Sequence, residues 1–447
     1  MFPLIRSSPK AAEVGTSLYA RQTGQADFIF MTLGNDTDTG KRIKLSPEAL
    51  SKQVFVVGKT GTGKSTLMLN MMVEAAWNNE GFCFIDMHGD TAQTVLRFIP
   101  PDRINDIIWI DPTEDYVPNI SIIEPNGSTG KIVSEADNLF LNLWPKAWYA
   151  RSQWFFRTAA RILLSIGYPV GIVGILKMMA NKAYREKIMQ QPLDEDLKMF
   201  LRDFETWTKP FREDVVTPVK NKVYRFIEDE FLKAVTGPAR SSFRFRWAMD
   251  NRKIVICRIP RGTIGKEGSE LLASLIVNKI NNAALGRADS EERPPFTLYV
   301  DEFGSAVNGV DAHSLLSEGR KYGLQLVIAS QELQSLVQGE KSILGPILGN
   351  CSTIIAFKIS GEDAQKLDVE FYSRYAPEFY VGLDNYHFVI RTIDQGRTST
   401  AYHVVAYPEP DWGGNDAYAA KIKDTSKRRF GVSKKKTYEK VNRFLAQ

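Results

Sequence analysis

Cysteine is scarce in this chain of 447 residues, which has only three. Cys83, Cys257 and Cys351 are widely separated, and each sits in an apolar, strand-like segment. That spacing excludes a disulfide framework and a thiolate metal site, and reads as buried thiols in a reducing compartment. Long apolar runs are missing too. The most apolar stretch, residues 159–180, contains Arg161, Lys177, Pro169 and several glycines, which makes it a poor membrane span. Residues 1–10 lack the apolar core of a signal peptide. The chain therefore reads as cytoplasmic, with no membrane anchor of its own. Nor is there a strong excess of one charge: the formal net charge of +5 does not by itself imply a nucleic-acid partner. With 43% hydrophobic and 24% charged residues the composition is that of an ordinary globular protein. Its length predicts two or three domains.

Against this plain background one segment stands out. Residues 54–66 read V-F-V-V-G-K-T-G-T-G-K-S-T. A β-branched and aromatic run enters a loop of the form G-x-x-x-x-G-K-S, and an apolar segment at 67–73 then starts a helix. Strand, glycine-rich loop and helix in that order are the context a P-loop requires. The loop, Gly58, Lys59, Thr60, Gly61, Thr62, Gly63, Lys64, Ser65 and Thr66, lets backbone N–H groups curl around phosphate at a positively polarised helix start. Lys64 is placed to reach the β- and γ-phosphates, and Ser65 to give an oxygen to Mg²⁺. The expected ligand is a nucleoside triphosphate.

The rest of the chain alternates around this element. Residues 1–51 read as a β-rich lead-in, with strands at 28–32 and 43–45 about a turn at 34–40. Short apolar runs at 82–85 and 107–110 fit buried parallel strands, with a helix at 91–98 between them. From 131 to 250 the periodicity is helical, with candidate helices at 131–143, 152–165, 171–189, 193–207 and 215–234. Its aromatics, Trp144, Trp148, Trp154, Phe155, Phe156 and Trp207, fall at helical spacing and read as bundle core rather than a base-stacking platform. Strands resume at 254–259, 296–300, 324–329, 353–357, 387–391 and 401–405, with helices at 268–285 and 312–322. The predicted fold is α/β: a P-loop domain with a central, mostly parallel sheet, interrupted by an inserted all-α domain. Its parts are 52–130 and 251–410 for the nucleotide domain, 131–250 for the insertion, and 411–447 for a basic tail. The tail carries nine lysines and arginines between 421 and 440 and reads either as a solvated, partly disordered end or as a DNA-contacting one.

The second half of the site follows from strand ends. The run at 296–300 leads to Asp301-Glu302, with Asp301 the Mg²⁺ partner and Glu302 the residue that orients and polarises the attacking water. The strand at 324–329 leads to Ser330-Gln331, placing an amide where it can sense the γ-phosphate. Arg320, at a helix end, either complements the helix dipole or crosses a subunit boundary to the γ-phosphate of a neighbour. Asp86, His88 and Asp90 lie at another strand end, where open α/β sheets bind ligands. His88 reads as a hydrogen-bonded turn residue with no proton-transfer role.

Four segments together resemble the type IV secretion coupling proteins, conjugative DNA-transfer ATPases of the wider FtsK/HerA superfamily. They are G-K-T-G-T-G-K-S-T at 58–66, I-D-M-H-G-D at 85–90, Y-V-D-E-F at 299–303 and L-S-E-G-R-K-Y-G-L-Q-L-V-I-A-S-Q at 316–331. The helical insertion matches that family's layout, as do Asn350, Phe357 and Asp363-Ala364. The similarity runs from about 34 to 405; Met87 departs from it, where proline is common. The resemblance implies a RecA-like hexameric ring with ATP and Mg²⁺ at subunit interfaces and DNA in a central channel. It implies an ATPase core of Lys64, Ser65, Asp301 and Glu302, with Gln331 as sensor and Arg320 as a finger acting in trans. Grip on DNA would be through phosphates, with little sequence preference. The transmembrane helices that usually precede the nucleotide domain in that family are not expected from this sequence. Two expectations follow: recruitment to the inner face of a membrane by a separate subunit, or a soluble relative processing DNA elsewhere. A protein-cargo secretion motor, in which the helical insertion reads secretion-channel or relaxosome proteins, stays open. A non-hydrolysing switch is disfavoured by the water-activating Glu302.

Overall fold

A computed structural model describes residues 31–125, 127–167, 171–338 and 341–446. The expected strand start at 28–30 and residues 1–10 lie outside these. Eleven strands form the main sheet: β1 Met31–Asp36, β2 Arg42–Leu45, β3 Val54–Val57, β4 Gly81–Asp86, β5 Ile107–Ile110, β6 Ile254–Arg258, β7 Phe296–Val300, β8 Leu324–Ser330, β9 Thr353–Ala356, β10 His387–Arg391 and β11 Tyr402–Ala406. Their order is β2-β1-β11-β10-β9-β3-β8-β7-β4-β6-β5. From β9 to β5 all neighbours are parallel, and β10, β11, β1 and β2 extend the sheet antiparallel beyond β9. The lead-in strands thus complete the edge of the main sheet rather than forming a unit of their own.

β3 lies inside the sheet, between β9 and β8, and all four of its residues are buried. Side chains alternate across a strand, so Val54 and Val56 enter one apolar layer and Phe55 and Val57 the other. The first layer is covered by helix α1, Lys64–Trp77, through Leu67, Met68, Met71 and Met72. The second runs without a break into the helical region.

That region comprises α2 Thr129–Leu143, α3 Ala150–Ser165, α4 Val173–Ala180, α5 Lys182–Met189, α6 Glu195–Thr206, α7 Lys209–Tyr224 and α8 Glu230–Thr236. Two expected helices are broken. The helix at 171–189 divides at Asn181, whose side chain accepts the Tyr184 N–H at 2.8 Å and starts α5. The helix at 215–234 divides at Asp229, which accepts the Leu232 N–H at 2.9 Å. Each cap satisfies an amide that an uninterrupted helix would have bonded internally. The aromatics are core: Phe140 stacks on Trp148 at 5.0 Å, and Trp148 Nε1 donates to buried Asp137 at 2.8 Å. Trp154 is the exception, 48% exposed.

The tail is not a disordered end. It forms α9, Asp416–Phe430, and α10, Lys434–Ala446. α9 covers the sheet edge, where Ser426 Oγ accepts the Trp109 N–H at 2.8 Å. α10 packs on the helical region, with the Phe444 ring edge-on to Tyr184 at 5.6 Å. Among the described residues, no helix is long and apolar enough to cross a membrane.

Candidate active site

The P-loop leaves β3 at the carboxyl ends of its parallel neighbours. Gly58 N–H donates to Ser330 O at 3.2 Å and Lys59 N–H to Lys358 O at 2.8 Å, so the loop is tied to the ends of both flanking strands. A Cβ on Gly58 would stand 2.6 Å from Phe357 Cβ, which explains glycine there. Thr62 Oγ1 closes the turn on Lys59 O at 2.7 Å. Helix α1 begins at Lys64, and the first amides of a helix have no partner within it. The loop therefore borders an open cleft at the positively polarised start of a helix.

Lys64 is buried, and its ammonium donates to the carbonyls of Gly58 and Lys59. Burial holds its pKa below the ordinary lysine value, opposed by Asp301 and Glu302. Ser65 Oγ lies 3.5 Å from Asp301 Oδ2, although the two are 236 positions apart in sequence. Burial raises the Asp301 carboxyl to about 6, and Glu302 and Asp86 add to the effect. Glu302 sits at φ 61°, a left-handed conformation uncommon for glutamate. Burial pushes its carboxyl up, but His88, Gln331 and Lys64 outweigh that and hold it below the usual range. Gln331 Oε1 accepts the Thr60 hydroxyl at 3.0 Å, which links the end of β8 to the loop.

These residues line a cleft of about 160 Å³ with Gly61, Gly63, Thr66, His88 and Tyr386. The donor set fits a magnesium nucleotide. The loop is a cradle for phosphate, and a hydroxyl faces a carboxylate across a gap. Among the described residues no cluster of three or more His, Cys, Asp or Glu could hold a metal alone. That suits Mg²⁺, which takes one or two protein oxygens and completes its shell with phosphates and water.

Two lining residues were not assigned roles from sequence. His88 Nε2 stands 4.0 Å from Glu302 Oε1, and Glu302 raises its pKa. The register Ile85↔Val300 between β4 and β7 puts the two loops side by side, so the strand-end position of His88 was the available signal. Tyr386 belongs to no motif, and β10 brings it in from the antiparallel side. Asp86 turns out to serve the loop: Oδ1 accepts the N–H groups of His88 at 2.9 Å and Gly89 at 2.7 Å, and Oδ2 that of Ala92 at 2.8 Å.

Arg320 is not in this cleft. It is exposed, on a 3₁₀ turn at the start of β8, with no side-chain partner among the described residues. Gln331 follows the other end of that seven-residue strand, roughly 23 Å away at the rise of a β-strand.

A family model described as the type IV secretion-system coupling protein DNA-binding domain matches residues 40–370. No curated protein matches the sequence. Among solved structures, the chain is similar to the plasmid coupling protein TrwB bound to a non-hydrolysable ATP analogue. Identity is 16%, covering 88% of this chain and 97% of that one, with a TM-score of 0.63. TrwB with ADP and Mg²⁺ gives 15% identity over 88% and 98% of the two chains, with a TM-score of 0.60. VirB4 of Thermoanaerobacter pseudethanolicus gives 14% over 85% and 96%, with a TM-score of 0.59.

Proposed function

The chain belongs to the type IV secretion-system coupling protein DNA-binding domain family, and on that footing we propose that it is an ATP-hydrolysing motor that moves DNA in transfer between cells. The observation that carries this is the meeting of Lys64, Ser65, Asp301, Glu302 and Gln331 at one cleft inside the matched region. The P-loop amides and Lys64 would hold the phosphates, and Ser65 and Asp301 would hold Mg²⁺. A bound Mg²⁺ would neutralise charge on the β- and γ-phosphate oxygens. Glu302 orients the attacking water and accepts its proton. Gln331, tied to Thr60, reports the presence of the γ-phosphate.

Arg320 lies a strand length from its own cleft and completes the site of a neighbouring subunit. The working form is a ring, with six subunits by analogy to RecA-like motors. DNA is held by its phosphates, so binding falls steeply with salt and varies little with sequence. The helical region, 131–250, is where secretion-channel or relaxosome proteins dock.

The test is the ATPase rate against protein concentration, with and without single- and double-stranded DNA, at low and high salt. The rate should rise cooperatively with protein and be stimulated by DNA in a salt-sensitive way. A rate indifferent to DNA contradicts a DNA motor and favours a protein-cargo ATPase.

A further inference from the structure

We infer that Tyr386 is the platform on which the base of the bound nucleoside triphosphate stacks, and that the site consequently discriminates weakly between bases. This rests on the nucleotide reading above and adds the far end of the ligand to it. Gln331 and Glu302 follow β8 and β7, on one side of β3. Tyr386 precedes β10, on the other side, beyond β9. The cleft is therefore carboxylate and amide at one end and aromatic at the other. A triphosphate curled in the loop, with its terminal phosphate toward Glu302, directs its base toward Tyr386.

The chain holds this residue firmly in an unfavourable shape. Tyr386 has φ 65°, in the left-handed region that bulky side chains avoid. Its N–H donates to Thr62 O and its carbonyl accepts the Ala406 N–H, both at 2.8 Å. The ring lies against Gly63, where an added Cβ would come within 3.0 Å of Tyr386 Cδ1. Yet the residue is 47% exposed, and its hydroxyl makes no hydrogen bond among the described residues. A fixed backbone with a free aromatic face suits stacking, which every base offers.

The full chain would be titrated with ATP, GTP and inorganic tripolyphosphate in the presence of Mg²⁺. Tyr386→Gly tolerates the same backbone and removes the ring; Tyr386→Asn is a second variant suited to that conformation. Both should weaken ATP and GTP alike by about tenfold, leave tripolyphosphate unchanged, and contrast with Tyr386→Phe, which should bind like the wild type. Wild-type affinity for ATP in both ring-less variants would overturn the inference, as would equal loss of tripolyphosphate, which marks a purely structural role. A wild-type chain that binds none of the three probes overturns the nucleotide reading, and this inference with it.

Discussion

Ser65 Oγ and Asp301 Oδ2 face each other at 3.5 Å across the mouth of the P-loop, one from the start of a helix and the other from the end of β7. Asp301 is buried, and its carboxyl is raised to about 6, with Glu302, Asp86, Lys64 and His88 as its charged neighbours. As pH falls through about 6 the carboxyl is protonated, and the proton then competes with Mg²⁺. Apparent Mg²⁺ affinity in the presence of nucleotide should fall up to about tenfold per pH unit below 6 and level off above it. Asp301→Asn should reduce this dependence to the part set by the nucleotide's own terminal phosphate, which also titrates at about 6, and weaken Mg²⁺ at every pH. Calorimetric titration between pH 5 and 8 checks both.

The same burial makes ionised Asp301 a cost to the nucleotide-free fold above pH 6, and a cost that disappears below the unfolded carboxylate range. Asp301→Asn should therefore stabilise the ligand-free protein at pH 8, by up to about 2–3 kcal/mol. At pH 4 it should have little effect. Thermal melts at the two pH values distinguish this from a general packing change, which would act equally at both.

Arg320 is exposed at the opposite end of β8 from Gln331, and in the proposed ring it would serve the cleft of a neighbouring subunit. Arg320→Ala should preserve nucleotide binding and lower hydrolysis at least about 100-fold. Lys64→Ala removes turnover within its own cleft but keeps its Arg320. Mixtures of the two inactive variants should regain part of the activity, because some interfaces then pair an intact cleft with an intact finger. Absence of activity at every mixing ratio would remove the trans role.

Ser426 accepts a backbone N–H of β5, so the tail is part of the sheet's protection as well as a carrier of charge. Ser426→Ala leaves the Trp109 amide buried without that acceptor and should cost about 1–3 kcal/mol. A lowered denaturation midpoint with unchanged nucleotide binding is the expected result.

This contact also shows what the sequence could not display. The buried stripe of α9 is Ala419, Ile422 and Ser426, small or polar residues with weak apolar periodicity. The surrounding lysines and arginines fit a solvated end or a DNA-contacting one equally well. The helix breaks at Asn181 and Asp229 were hidden for a related reason, since apolar residues continue on both sides of each cap. Lys64, Ser65, Asp301, Glu302 and Gln331 were legible because strand-end chemistry is written locally, in a few adjacent residues. His88 needed the β4–β7 register to acquire a partner. Tyr386 needed the whole antiparallel extension, which places it beside the P-loop from more than 300 residues away and leaves no local mark.

The most direct test of the central claim is displacement of streptavidin from end-biotinylated DNA by the full chain. Wild-type protein should displace it with ATP and Mg²⁺ and fail without ATP. Glu302→Gln should bind both ATP and DNA yet displace nothing, because the water-activating carboxylate is gone. Displacement by Glu302→Gln at the wild-type rate, or none by wild-type protein that hydrolyses ATP on the same DNA, would contradict a hydrolysis-driven DNA motor.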